Sequence, residues 1–215
     1  MKSWGDFLVY IKPHISGCPD SMLLEYIKRA AIDFCAKSHV YVLDADPITI
    51  SANTSTYDLE FSGKAVTPLA IYSSKIGTTI LYETSEYELR HISDTWETDT
   101  GSSTHRFMTR SGKIRLWRIP TAAESSALEC EVIVKPTMVA TSVDDFIFNE
   151  YALVINDYAL FVLKLMPERK WTDLQGANMH YQMYRRELSR IKGQTFKSRR
   201  LGPSSVAPQI FGGVN

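Results

Sequence analysis

DDFIFNEYALVINDYALFVLKLMPERKWTDLQGANMHYQMYRRELSRIKGQTFKSRR, residues 144–200, is the stretch whose reading decides the fold. Its first third is apolar nearly all round a helical wheel. The polar residues Glu150, Asn156, Asp157, Lys164 and Glu168 collect on one narrow stripe. Asp144 or Asp145 is placed to cap a helix over residues 148–166, and Pro167 stops it. A helix so apolar in a small protein needs neighbours on several sides, and a subunit partner is one way to supply them.

The rest of the stretch reads as a second helix over residues 172–192. Thr172 with Gln175 forms a capping-box pattern, and Gly193 suits a carboxyl cap. Leu174, Ala177, Tyr181, Tyr184, Leu188 and Ile191 recur at helical spacing as its inner face. Arg185, Arg186, Arg190 and Lys192 form a basic outer face. Positive charge then continues beyond the helix through Lys197, Arg199 and Arg200, so residues 185–200 hold seven basic residues against one acid, Glu187.

Residues 195–215 read as an extended arm. Pro203 and Pro208 disfavour helix, and the arm has too few apolar residues to fold alone. It still carries Leu201 and an apolar pair, Ile210 and Phe211, which suits a segment that orders on a partner.

Upstream, residues 20–38 read as a clear helix. Pro19 and Asp20 suit its start, and Leu23, Leu24, Ile27, Ala30, Ala31, Phe34 and Cys35 recur at helical spacing. A shorter helix is expected over residues 3–12, ending at Pro13. From Val40 the period becomes two. Strands are expected over 40–43, 47–51, 56–61, 66–72, 78–82, 105–109, 113–118 and 128–135. Arg110-Ser111-Gly112 turns the clearest hairpin, and Ser85 with Glu88 forms a capping box. Cys130, Val132 and Val134 alternate with Glu129, Glu131 and Lys135, which predicts one buried and one wet face. The fold class is α+β. Residues 1–39 and 143–194 form a helical bundle, residues 40–142 an antiparallel β-rich insertion, and residues 195–215 a docking arm.

Composition narrows the function. The 215 residues carry 24 basic and 24 acidic side chains, so no overall field steers the chain to nucleic acid or anionic lipid. The three cysteines, Cys18, Cys35 and Cys130, are isolated and read as free thiols in a reducing compartment. Residues 1–12 do not read as a signal peptide, because Asp6 interrupts them. The most apolar window, 151–166, is too short to span a membrane and contains Asn156, Asp157 and Lys164. Walker, GxSxG, HExxH and GxGxxG motifs are absent. The SGK triplets at residues 62–64 and 111–113 read as turns. No catalytic residue, cofactor or metal is expected. A weaker enzymatic reading would rest on His91, Asp94 and Glu88.

The order Leu23-Leu24-x-x-Ile27-x-x-Ala30-Ala31-x-x-Phe34, then Val40-Tyr41, a β insertion and two late helices ending in a basic arm, resembles the head-to-tail adaptors of short-tailed bacteriophages, the tail tubular protein A type. The likeness covers nearly the whole chain. It implies a non-enzymatic homo-oligomeric ring of twelve copies in the virion neck, assembled in the host cytoplasm, between portal protein and tail nozzle protein. DNA would pass through the ring, and whether it makes non-specific contact with the lumen is left open by the sequence. The docking arm would present Lys197, Arg199, Arg200, Leu201, Ile210 and Phe211 to the portal. The alternative is a DNA-packaging accessory that grips phosphates with residues 185–200.

Overall fold

The computed structural model describes residues 1–199 of the chain. It opens on a two-residue strand, β1 (Lys2–Ser3), and a fragmented helical stretch. Only α1 (Leu8–Ile11) keeps α geometry there, between 3-10 turns at Trp4–Phe7 and Lys12–His14. Pro13 breaks the helix expected over 3–12, because it has no backbone N–H to extend the ladder.

The next helix, α2 (Asp20–Ser38), follows its sequence pattern closely. Pro19 holds the extended backbone before it, and His39 ends it in the left-handed conformation, φ 58°, donating its N–H to the Cys35 carbonyl. Leu23, Ile27, Ala30, Ala31, Phe34 and Cys35 are buried at the expected spacing.

The strand-rich middle holds β2 (Val42–Asp44), β3 (Thr56–Tyr57), β4 (Val66–Ile76), β5 (Thr79–Ile80) and β6 (Tyr82–Glu83). After these come α3 (Glu86–Ile92), β7 (His105–Met108), β8 (Ile114–Trp117) and β9 (Leu128–Pro136). One sheet runs β2-β9-β4-β5 and is antiparallel throughout. The second runs β3-β8-β7-β6, and its β6–β7 pair is parallel, a departure from the antiparallel region expected.

Other strands differ in extent. The strand expected over 47–51 reduces to a single bridge between Ile48 and Leu128, beside Pro47, which cannot donate to a ladder. β4 is longer than expected because residues 73–76 continue its pairing with β9, and register shifts between Pro68 and Ala70, and between Ile71 and Ser73, interrupt the ladder. The alternation in β9 fails in its second half, where Ile133 is buried as well as Val132 and Val134. The capping box at Ser85 and Glu88 and the hairpin turn at 110–112 form as expected.

A last short strand, β10 (Ser142–Val143), pairs with β1 and brings the chain into the long helices α4 (Asp145–Lys164) and α5 (Leu174–Arg199). Asp144 occupies the position before α4, but its carboxylate is engaged by Lys64 Nζ at 2.7 Å and does not cap the helix. α5 is capped by Asp173, whose Oδ1 accepts the Gly176 N–H at 2.9 Å. The expected cap, Thr172, instead donates its hydroxyl to the Met166 carbonyl. Gly193 does not end α5; the helix passes through it to Arg199.

Trp4, α2, α4, α5 and both sheets contribute to one large core, which includes Phe7, Phe34, Ile50, Ile71, Ile114, Leu128, Ile147 and Ile191. A separate small core of Leu89, Trp96, Phe107 and Trp117 lies between α3 and the outer face of the second sheet. Cys35 and Cys130 are buried, and loss of hydration pushes both thiols up to about 12. Cys18 is half-buried.

By length and composition α4, Asp145–Lys164, is the one described helix that could cross a membrane, since it begins before the 151–166 window read from the sequence. Ile147, Ile155, Ala159, Leu160 and Leu163 bury it against its neighbours inside the protein.

A candidate docking surface on the late helices

The polar stripe read from the α4 sequence is only partly its wet side, since Glu150 and Glu168 are exposed while its middle turns inward. Asn156 is buried, and Asp157 is half-buried against His180 of α5, with Oδ1 2.8 Å from Nδ1. Desolvation, the largest influence, pushes the Asp157 carboxyl up, while the His180 contact opposes it. One end of the same stripe places Lys164 Nζ 3.1 Å from Asp173. The Gly176 N–H and then Lys164 hold the Asp173 carboxyl below the usual carboxylate range. Asp157 and Lys164 point inward because they fasten α5 and its cap onto α4, whereas Asn156 donates to the Phe7 carbonyl of the first helical stretch at 3.5 Å. Hydrophobic periodicity alone cannot reveal that purpose.

Aromatic side chains complete the seam. Tyr181 stacks on Phe161 with centroids 4.5 Å apart, and Tyr184 meets Tyr158 at 4.7 Å. The Tyr184 hydroxyl donates to Asp33 of α2 at 2.7 Å, so α5 is pinned to two helices at once. Ala177, Tyr184, Leu188 and Ile191 are buried as expected. Leu174 and Tyr181 are exposed, and His180 takes an inward place that the sequence reading missed.

The expected basic residues lie on the opposite side. Arg185, Arg186, Arg190, Lys192 and Lys197 are all exposed. They fall in two rows: Arg186, Arg190 and Lys197 follow one line along α5, and Arg185 and Lys192 follow another. Arg190 is held by Glu187 at 2.7 Å and Gln194 at 3.0 Å, and Arg185 lies over the Tyr181 ring at 5.8 Å. Positive charge near a helix carboxyl end is also favoured by the helix dipole. Lys197 and Arg199 therefore belong to α5 and not to an extended arm. Arg200, Leu201, Ile210 and Phe211 lie outside the described residues. Beside the last turns of α5 a crevice of about 350 Å³ is lined by Val40, Tyr72, Phe146, Tyr151, Ile191 and Gln194.

One exposed feature escaped the sequence reading. The His14 ring lies 5.8 Å from that of His180, which brings the end of the first helical stretch against both late helices. About one turn away along each element lie Tyr10, Leu153 and Met183, exposed by 41%, 65% and 47%. Leu153 lies on the line that Glu150 and Asp157 mark on α4, and the Tyr10 ring packs on Phe148 of that helix with centroids 6.0 Å apart. A groove of about 630 Å³ lies between α2 and α4, lined by Tyr26, Ile32, Ala36, Met138, Tyr158 and Val162. Apolar residues between polar ones on that line were the available signal.

Two residues of the enzymatic alternative, Glu88 and His91, are otherwise engaged. Glu88 accepts from the Ser85 N–H and hydroxyl and from Thr84, which holds its carboxyl low, and His91 packs on Tyr87 at 4.5 Å. No cluster of three or more His, Cys, Asp or Glu that could hold a metal ion occurs among the described residues.

The chain matches a family model described as SU10 adaptor protein over residues 4–208. No curated protein matches the chain.

Proposed function

This chain belongs to the SU10 adaptor protein family of phage head-to-tail adaptors, and we propose that it works as a ring between portal and tail nozzle in the virion neck. The family fixes the coarser statement: the chain is a structural adaptor of the phage virion, associated with other virion components. The finer reading is ours. Twelve copies close the ring, and DNA passes through it. The helical segments, 1–39 and 143–194, form the body, and residues 40–142 face the nozzle or adjoining subunits. Residues 195–215 dock on the portal, starting from the last turn of α5. The work is non-enzymatic.

The observation that carries this reading is the extent of the family match, which takes in both helical segments, the β region and the first part of the tail. The exposed apolar side chains on α1, α4 and α5 support it, since a ring subunit must keep such surface for its neighbours. Burying Ile210 and Phe211 on a portal contributes about 1.5–3 kcal/mol each before ordering costs. Repetition around a ring makes such modest contacts collectively tenacious.

Deletion of residues 202–215 tests the arm. The truncated protein is expected to keep its helical circular dichroism and to lose co-sedimentation with portal rings. Unchanged portal affinity overturns the arm assignment. The exposed row of Arg186, Arg190 and Lys197 favours one second reading, a packaging accessory that binds DNA. A steep fall of duplex affinity with salt in the isolated protein, about 0.9 log units per log unit of salt for each phosphate contacted, would select it.

A further inference from the structure

The corner where the first helical stretch meets the late helices holds two imidazoles that the adaptor reading leaves unused. His180 is only 4% exposed, and its Nδ1 lies 2.8 Å from Asp157 Oδ1, which fixes the ring. The other nitrogen, Nε2, is buried and meets no hydrogen-bond partner within the protein. A buried polar atom left so is costly unless another group comes to it. The His14 ring has its centroid 5.8 Å from that of His180, with 83° between the ring planes. His14 itself is exposed and ends the 3-10 turn Lys12–His14, so its ring can turn at little cost. Lys12, the cation on the same turn, is held aside by Asp20 at 2.8 Å.

These features match what zinc asks of imidazoles. A carboxylate on Nδ1 sets the tautomer and turns Nε2 into a lone-pair donor, the arrangement of carboxylate–histidine–zinc sites. Two imidazoles on one ion, with zinc–nitrogen bonds of about 2.0–2.1 Å, keep their centroids roughly 5–6.5 Å apart, a range that contains the His14–His180 separation.

We propose that His180 Nε2 and a ring nitrogen of His14 bind one Zn²⁺ ion, with Asp157 orienting His180. Water completes the coordination, so the ion is exchangeable, unlike a structural zinc held by four side chains. Bound there, it ties residues 12–14 to α5 and, through Asp157, to α4.

Zinc titrated calorimetrically into the full chain, in buffer free of chelators, is expected to bind at one ion per chain and to raise the thermal midpoint. His14→Ala removes an exposed side chain. Without zinc it is expected to unfold like wild type, and with zinc to bind at least about tenfold more weakly. Asp157→Asn keeps the shape but loses the charge that orients the imidazole, and is expected to weaken binding about 10–100-fold. Cys18→Ser is expected to bind zinc as wild type does, which separates the imidazole pair from the half-buried thiol. Absence of saturable binding by wild type, unchanged affinity in His14→Ala, or loss of affinity in Cys18→Ser overturns the site. Unchanged affinity in Asp157→Asn overturns the orienting role of that carboxylate.

Discussion

The large core and the small one are built on opposite principles. The large core draws on residues from Trp4 to Ile191, so each end of the chain closes over what the other provides. The small core takes all four of its residues, Leu89, Trp96, Phe107 and Trp117, from a short span of the chain. The second sheet separates them: Ile114 and Leu116 of β8 face the large core, while Phe107 and Trp117 face α3. The small core also depends on cations, with the Arg115 guanidinium 4.8 Å over Trp96 and that of Arg118 5.1 Å over Trp117. The large core is thus expected to fail as one unit, and the small core to open locally while the rest holds.

The largest expected effect tests the first half of that contrast. Phe34→Ala removes a fully buried ring that packs on Tyr151, at a cost of about 3–5 kcal/mol. Chemical denaturation is expected to show a single transition moved to lower denaturant, with α2, α4 and β9 lost together. Separate transitions for the helices and the first sheet would break the picture of one shared core.

Phe107→Ala is expected to act nearer home, costing about 3 kcal/mol at the lower end of the range for such truncations. Amide exchange should speed in α3, β6 and β7, while protection in α4 is unchanged. Equal loss of protection in α4 would mean that the small core is not a separate unit.

The smallest effect is electrostatic. The Glu88 carboxyl lies below its ordinary value because it accepts from Ser85 and Thr84 at the start of α3. A carboxyl lowered by folding adds stability above its unfolded pKa and loses it as the pH falls through the folded value. Acidification below about pH 4 is therefore expected to fray α3 and loosen the small core first. Proton exchange followed by NMR checks this, and α3 protection that persists after that of α2 is lost would contradict it.

What could be read in advance follows the range of the interactions. α2, the Ser85 capping box and the 110–112 turn rest on residues close in sequence, and all were legible. Pairing of β1 with β10 joins strands far apart in sequence, and no local pattern announces it. Residues 94–104 fall outside every element expected from the sequence, yet they hold Trp96, which is buried only because Phe107 and Leu89 arrive from elsewhere. Gly193 carried a stop signal that neighbouring strong helix formers, Arg190, Lys192 and Gln194, overrode. Of the docking surface, the basic residues of α5 were legible as exposed. Exposed Leu153 was not, because only the packing of three helices decides which part of α4 stays uncovered.

The thiols have a practical meaning for anyone who wishes to watch this protein at work. With Cys35 and Cys130 buried, a maleimide dye offered in solution encounters Cys18 as its accessible target, although burial and Asp20 hold that thiol up too. Cys18 sits between the fragmented first helix and α2, so the natural chain carries a site for one fluorophore on the helical side of the molecule, without any engineered cysteine.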